Sequence, residues 1–337
     1  MVYIALSVAI CFADLLLVKN KSAYFFLFIA FLIIGGFRDI SVGTDTENYL
    51  EIYNNINAGG EASLYAFSTI EPLWFALNWI CSKIFGNFQS VIFISNALAM
   101  IPVFLYCWAQ KRPFRGLLFY VLLYFWGNSL NITRQMIAIA FLLLGYHYYL
   151  QQKGLKYILL IVIATLFHYT SILVPCVVFF LRHLKLSTAS VIVLLPVTFF
   201  LGSAIVPGLI QHIPYIGKYS YYIMGASEGN ISFTRILLNI YFIFLWMTIY
   251  KDETMAFYLK LVFFGICMYN LFSFSSVVGR FALFFMIAQV YIMQDIQSSY
   301  IANKRIMTII SYVYGISYFS LMLYVNSCEI VPYSFNL

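Results

Sequence analysis

A chain of 337 residues that is 63% hydrophobic and only 9% charged, with a mean hydropathy of +0.90, is not a soluble globular protein, because no soluble domain hides that much apolar surface. Its apolar runs lack the alternation of barrel strands, so the class is all-α: a polytopic integral membrane protein of about twelve transmembrane helices. The net charge of +7 reads as membrane topology, with Lys and Arg gathered on the cytoplasmic side, and nucleic acid is not an expected partner.

The first apolar run, over 1–18, lacks a basic leader and a small-residue cleavage site, and Lys19 and Lys21 follow it. It is expected to be a retained helix. A second helix is expected over 23–37, after which "GGFRDISVGTDTENYLEIYNN" packs Arg38, Asp39, Asp45, Glu47 and Glu51 into one island of charge. That island opens a long connection, 38–88, in which "PLWFALNWICSKIFG", 72–86, is apolar but short and carries Lys83. Were it to span, the clusters Lys111/Arg112/Arg115, Lys153/Lys156, Arg182/Lys185 and Lys304/Arg305 would sit opposite Lys19/Lys21. Lying in the outer interface, it puts them all on one side and both termini outside.

Further helices are expected near 89–108, 116–131, 134–150, 155–167, 169–181, 188–206, 233–250, 255–277, 281–297 and 306–325. The pair 155–167 and 169–181 is short enough to be a hairpin that stops partway across. The second long outer connection is 207–232, and the whole of 1–337 reads as one transmembrane domain. Six cysteines (Cys11, Cys81, Cys107, Cys176, Cys267, Cys328) stand singly and read as small apolar residues, a Cys81–Cys328 bridge being the lesser alternative.

Against the charge bias stand Arg38, Lys83, Arg134, Lys218, Arg235 and Arg280. The four arginines sit singly at outer helix ends, and their planar forks of donors suit a pyrophosphate at headgroup level. The ordinary alternative is that each snorkels to lipid phosphate alone. Asn131 and Arg134 are three apart, with Gln135 adjacent, and Arg235 and Asn239 are four apart, so each pair is expected on one helix face. Simple interhelical hydrogen bonding explains the asparagines well and the arginines poorly.

His168, in "TLFHYTS", is a candidate general base or a structural histidine bonded to a carbonyl. His147, His183 and His212 read as structural. Asp45 and Glu47, with Glu71 further on, are too thin a set for a metal and adequate for acid/base work. Glu71 also has an ordinary place beside Pro72 at a helix start, with Ser68 or Thr69 able to cap. "YIGKYSYYIM", 215–224, could stack on sugars or simply mark the membrane interface. No nucleotide-binding loop occurs, so neither metal nor cofactor is expected.

Taken together, "GFRDISVGTDTENYLEIY", the "EP" of 71–72, "NITRQMIAIAF", "LFHYTSIL" and "VGRFALFF" resemble the EpsG family of Wzy-type polysaccharide polymerases, over roughly residues 30–285. The resemblance implies a GT-C-like glycosyltransferase that joins undecaprenyl-pyrophosphate-linked oligosaccharide repeat units at the outer face of the bacterial cytoplasmic membrane. It implies membrane lipid and a chain-length regulator protein as partners. Arg38, Arg134, Arg235 and Arg280 would hold pyrophosphate, and Tyr49, Glu71, Asn131 and Asn239 would line the substrate. Either Asp45 or His168 would take the acceptor proton, with the motif loop favouring Asp45. A flippase for the same lipid-linked sugars would spread its charges through both leaflets, and an acetyltransferase would not need four such arginines. An O-antigen ligase shares nearly all of the chemistry.

Overall fold

The structure, a computed structural model, describes residues 1–202, 233–296 and 304–336. The expected connection 207–232, with Lys218, His212 and the tyrosine-rich stretch 215–224, lies outside the described residues, as does the end of the helix expected over 188–206. Among the described residues every regular element is helical, and the lone bridge between Arg38 and Phe335 is isolated. No disulfide forms among the cysteines.

The chain forms two compact units, Met1–Ile172 with Gly315–Leu337, and Leu173–Tyr314. In the first, α1 (Val2–Leu16), α2 (Lys21–Gly36), α6 (Phe88–Ala109), α7 (Pro113–Leu122), α9 (Thr133–Leu150) and α10 (Gly154–Phe167) make the bundle, with α9 packed on α6 and α10 and α1 on α7. Asp14, the one acid of α1, is 2% exposed and lies 3.2 Å from Nε of Arg115. Arg115 is therefore not the solvated topology signal that its place beside Lys111 and Arg112 suggests; it pairs a buried charge that would be costly alone.

Two expectations change in this unit. The connection 38–88 is largely helical: α3 (Thr46–Ala58), α4 (Gly60–Thr69) and α5 (Pro72–Ile84). α3 starts with Glu47 in its first turn and stops at Gly59, whose φ is 75°. Tyr49, Tyr53 and Ile56, at helical spacing, are its buried stripe, and Trp74 of α5 meets Tyr49 at 5.0 Å between rings. α5, thirteen residues and about 20 Å long by helix rise, falls short of a hydrocarbon core of about 30 Å.

The second change is at 116–131, where one helix becomes two, α7 and α8 (Phe125–Ser129), broken at Tyr124 with φ of 64°. The break carries the Tyr124 hydroxyl to Ser327 O at 2.6 Å. A tertiary hydrogen bond thus overrides a local apolar pattern.

The second unit centres on the helix Glu253–Leu271, which touches α11 (Val174–His183), α12 (Thr188–Phe200), the helix Phe233–Ile249 and the helical run Val277–Asp295. Just past α12 the backbone comes so close to this helix that a Cβ on Gly202 would lie 1.9 Å from Asn270 O. Among the described residues three helices are long and apolar enough to cross a membrane, Gln89–Ala109, Val277–Asp295 and Lys304–Tyr324, and eight shorter apolar helices accompany them. Helical throughout its described regular elements, the protein is a multi-pass membrane protein.

Candidate active site

The site of the first unit is built where three helix ends meet. Pro72 pre-sets the first turn of α5, leaving Glu71 extended as its N-cap residue with no side-chain capping bond. The carboxylate turns elsewhere. Its Oε2 accepts from Nη1 of Arg134 at 2.7 Å, and its Oε1 lies 3.1 Å from Nδ1 of His168. Glu71 is 7% exposed in its side chain, whereas Arg134 and His168 keep 28% and 25%. One buried acid therefore holds two partners that both reach the surface.

Burial raises the Glu71 carboxyl, but the His168 hydrogen bond and the Arg134 charge outweigh it and hold the group below the ordinary carboxylate range. An ionised carboxylate only accepts, so Nδ1 of His168 supplies the hydrogen, which in a neutral imidazole assigns the lone pair to Nε2. The guanidinium carbon of Arg134 also lies 5.6 Å from the centroid of the buried Tyr49 ring. Ion pair and cation–π contact together fix its plane. His168 itself ends α10 in an extended conformation, φ −156° and ψ 109°, before a short turn, Tyr169–Leu173.

The motif loop stands beside this network. Gly43 has φ of 94°, and a Cβ there would meet Leu130 O at 2.5 Å, so both conformation and space require glycine. Asn131 Oδ1 accepts from the Asp45 amide at 2.7 Å and from Thr44 Oγ1 at 3.1 Å. Asn131 precedes α9 and does not share a helix face with Arg134; its amide holds the loop and thereby Asp45, which is half-buried at the start of α3.

Arg38 is 1% exposed, donates from Nη1 to Gly35 O at 2.7 Å, and has no partner for Nε among the described residues. Burial lowers it to about 10, offset by the nearby Tyr3, Tyr333 and Tyr49 hydroxyls, so it stays charged at neutral pH. It closes the end of α2 from within and shows a headgroup no surface.

In the second unit Arg235 is 5% exposed, with its guanidinium carbon 5.0 Å from the Phe199 ring centroid and Nη1 without a partner among the described residues. Asn239 does share its helix, donating to Arg235 O at 2.7 Å, but its amide is committed to Asn270 in a reciprocal pair of 3.1 and 2.9 Å. Asn270 was hidden in an apolar run, yet it is wholly buried and also reaches Thr198 Oγ1 at 3.3 Å. Arg280 lies half-buried in a short turn, Arg280–Ala282. Glu47 is exposed. Among the described residues no group of three or more His, Cys, Asp or Glu could hold a metal ion.

The first unit of this multi-pass membrane protein thus gathers a carboxylate, an arginine and a histidine from separate helix ends. The chain belongs to the EpsG family, whose model matches residues 3–335. No curated protein and no solved structure matches it significantly.

Proposed function

We propose that the chain is a glycosyltransferase-like polysaccharide polymerase that joins lipid-linked oligosaccharide repeat units and releases undecaprenyl pyrophosphate. Membership of the EpsG family supports the polymerase reading. The observation that carries the chemistry is one buried carboxylate, Glu71, shared by His168 and Arg134. It holds His168 and Arg134 side by side, with part of each side chain exposed.

In the proposed reaction the acceptor hydroxyl gives its proton to Nε2 of His168. Its oxygen bonds to the anomeric carbon of the growing chain as the bond from that carbon to the pyrophosphate oxygen breaks. Arg134 meets the charge that develops on the leaving group, and Arg235 and Arg280 are kept as candidate pyrophosphate-binding residues of the second unit. His168 is read as the base in preference to Asp45, because the Glu71 carboxylate orients its imidazole from behind. Asp45, its amide fixed by Asn131, is assigned to the acceptor hydroxyl. Arg38 is assigned an indirect role, holding the end of α2.

The same reading places about twelve spans in a bacterial inner membrane, in one GT-C-like transmembrane domain. Both termini and the active face are periplasmic, and α5 lies in the interface. A chain-length regulator is a partner by the same reading. The test is elongation of lipid-linked repeat unit by purified protein: wild type yields polymer, and His168→Gln does not. Near wild-type elongation by His168→Gln would refute the assignment of the base.

A further inference from the structure

The last residues of the chain are folded onto the motif loop through backbone bonds. Glu329 O accepts from the Gly43 amide at 3.2 Å and Cys328 O from the Thr44 amide at 3.3 Å. Further along, Asp39 N donates to Ser334 O at 3.0 Å, and Asn336 N to Phe37 O at 2.9 Å. Asn326, Cys328 and Glu329 have φ of 47°, 67° and 51°, left-handed values that cost non-glycine residues free energy and that cluster where structure serves a site. Here they turn two consecutive carbonyls onto the two residues that precede Asp45.

Between this strap and the loop lies a groove of about 470 Å³, lined by Ser41, Val325, Asn326, Glu329, Val331 and Pro332. Its volume falls within the range of small-ligand sites. Among the described residues no cation lines it, and the exposed Glu329 carboxylate opposes phosphate by like charge. Apolar Val325, Val331 and Pro332 beside the hydroxyl of Ser41 and the carboxylate of Glu329 suit a ligand with apolar ring faces and many hydroxyl donors.

Resting on the polymerase reading above, we propose that this groove receives the neutral oligosaccharide of the acceptor, whereas Arg134 takes pyrophosphate. Glu329 and Ser41 accept its hydroxyls, and the backbone of the strap delivers the bound sugar to the loop that carries Asp45.

Two measurements test it. Purified Ser41→Cys protein is labelled with a maleimide in the presence of the oligosaccharide freed by mild acid from lipid-linked repeat unit, which is extracted from a strain deleted for this gene. The sugar should slow labelling several-fold, and undecaprenyl pyrophosphate should not; protection by undecaprenyl pyrophosphate alone, or none by the sugar, overturns the proposal. This arm needs no turnover, so it stands or falls apart from the polymerase reading, which fails if wild type makes no polymer. In the elongation assay, Ser41→Trp and Glu329→Gln should raise KM for the repeat unit about tenfold more than they lower kcat, the signature of lost ground-state binding. An unchanged KM in both variants also overturns it, and rescue of KM in Glu329→Asp supports the carboxylate's part.

Discussion

Oε1 of Glu71 and Nδ1 of His168 lie 3.1 Å apart, although 97 positions separate the two residues in the chain. The carboxylate fixes which nitrogen carries the hydrogen, so an orienting role for Glu71 predicts a graded pattern. His168→Gln should lower kcat by about 10²–10⁴-fold, the usual worth of a positioned base. Glu71→Gln should lower kcat by about tenfold or more with the imidazole still present, because an amide can donate to Nδ1 and favour the wrong tautomer. Steady-state elongation rates at matched protein abundance decide it. Glu71→Gln at the wild-type rate would leave Glu71 only a structural place at the helix start.

The same carboxyl carries a pH signature. Its folded-state value lies below the ordinary 4.5, so the stability it contributes is fully present above that ordinary value and is lost as pH falls through the lower folded one. The thermal midpoint of the purified protein should therefore hold above about pH 5 and fall on further acidification. Glu71→Gln should lose that component of the fall, with a flatter midpoint below about pH 5. Identical profiles for the two proteins would show that Glu71 does not titrate with folding.

Arg134 spends one nitrogen on Glu71 and its face on Tyr49. A lysine copies the charge but neither the fork nor the stacked plane. Arg134→Lys should retain a reduced rate, and Arg134→Ala should be nearly inactive and also less stable, since it strands the Glu71 charge. Elongation assays together with detergent thermal scans separate the two effects. Full activity of Arg134→Ala would remove the arginine from the site.

The parts of this arrangement differ in how legible they were. Helices with apolar runs, the interfacial size of α5 and the candidate residues Glu71, Arg134 and His168 follow from periodicity, caps and misplaced charge. Their convergence does not, because no spacing rule links residues 71, 134 and 168. α3 was missed although Tyr49, Tyr53 and Ile56 repeat at helical spacing, since so polar a segment reads as loop beside lipid-like runs. The strap over 325–336 was missed for a different reason: it is held by backbone carbonyls and left-handed residues, which leave little mark on side-chain pattern. Asn131 and Asn239 carry the opposite lesson. Polar residues near arginines invite a substrate role, yet both amides are bonded within the protein.

Gly43 offers a sharp backbone test. Gly43→Ala meets both a φ of 94° and a backbone oxygen at 2.5 Å, so the loop must move and carry Asp45 with it. Gly59 has φ of 75° but nothing within 4 Å of an added Cβ. Gly59→Ala should cost only local strain, about 1 kcal/mol, and keep elongation, whereas Gly43→Ala should abolish it with normal membrane insertion. Equal activity in the two variants would mean that the loop's position does not matter to the reaction.

The reciprocal amide pair of Asn239 and Asn270, at 3.1 and 2.9 Å, should act as one unit. Replacing either asparagine alone by leucine leaves the other amide buried and short of a partner, whereas replacing both removes the need for one. Each single variant should lose stability by about 1–2 kcal/mol, the upper part of the range for hydrogen bonds between membrane helices. The double variant should lose less than the two losses added together, because the second change relieves what the first left unsatisfied. Part of the loss will persist, since Asn239 also bonds Arg235 O and Asn270 also bonds Thr198. Reversible unfolding of the four proteins in one detergent measures the coupling. Strict additivity would show that the two amides do not depend on each other, and that the helices Phe233–Ile249 and Glu253–Leu271 are held by apolar packing alone.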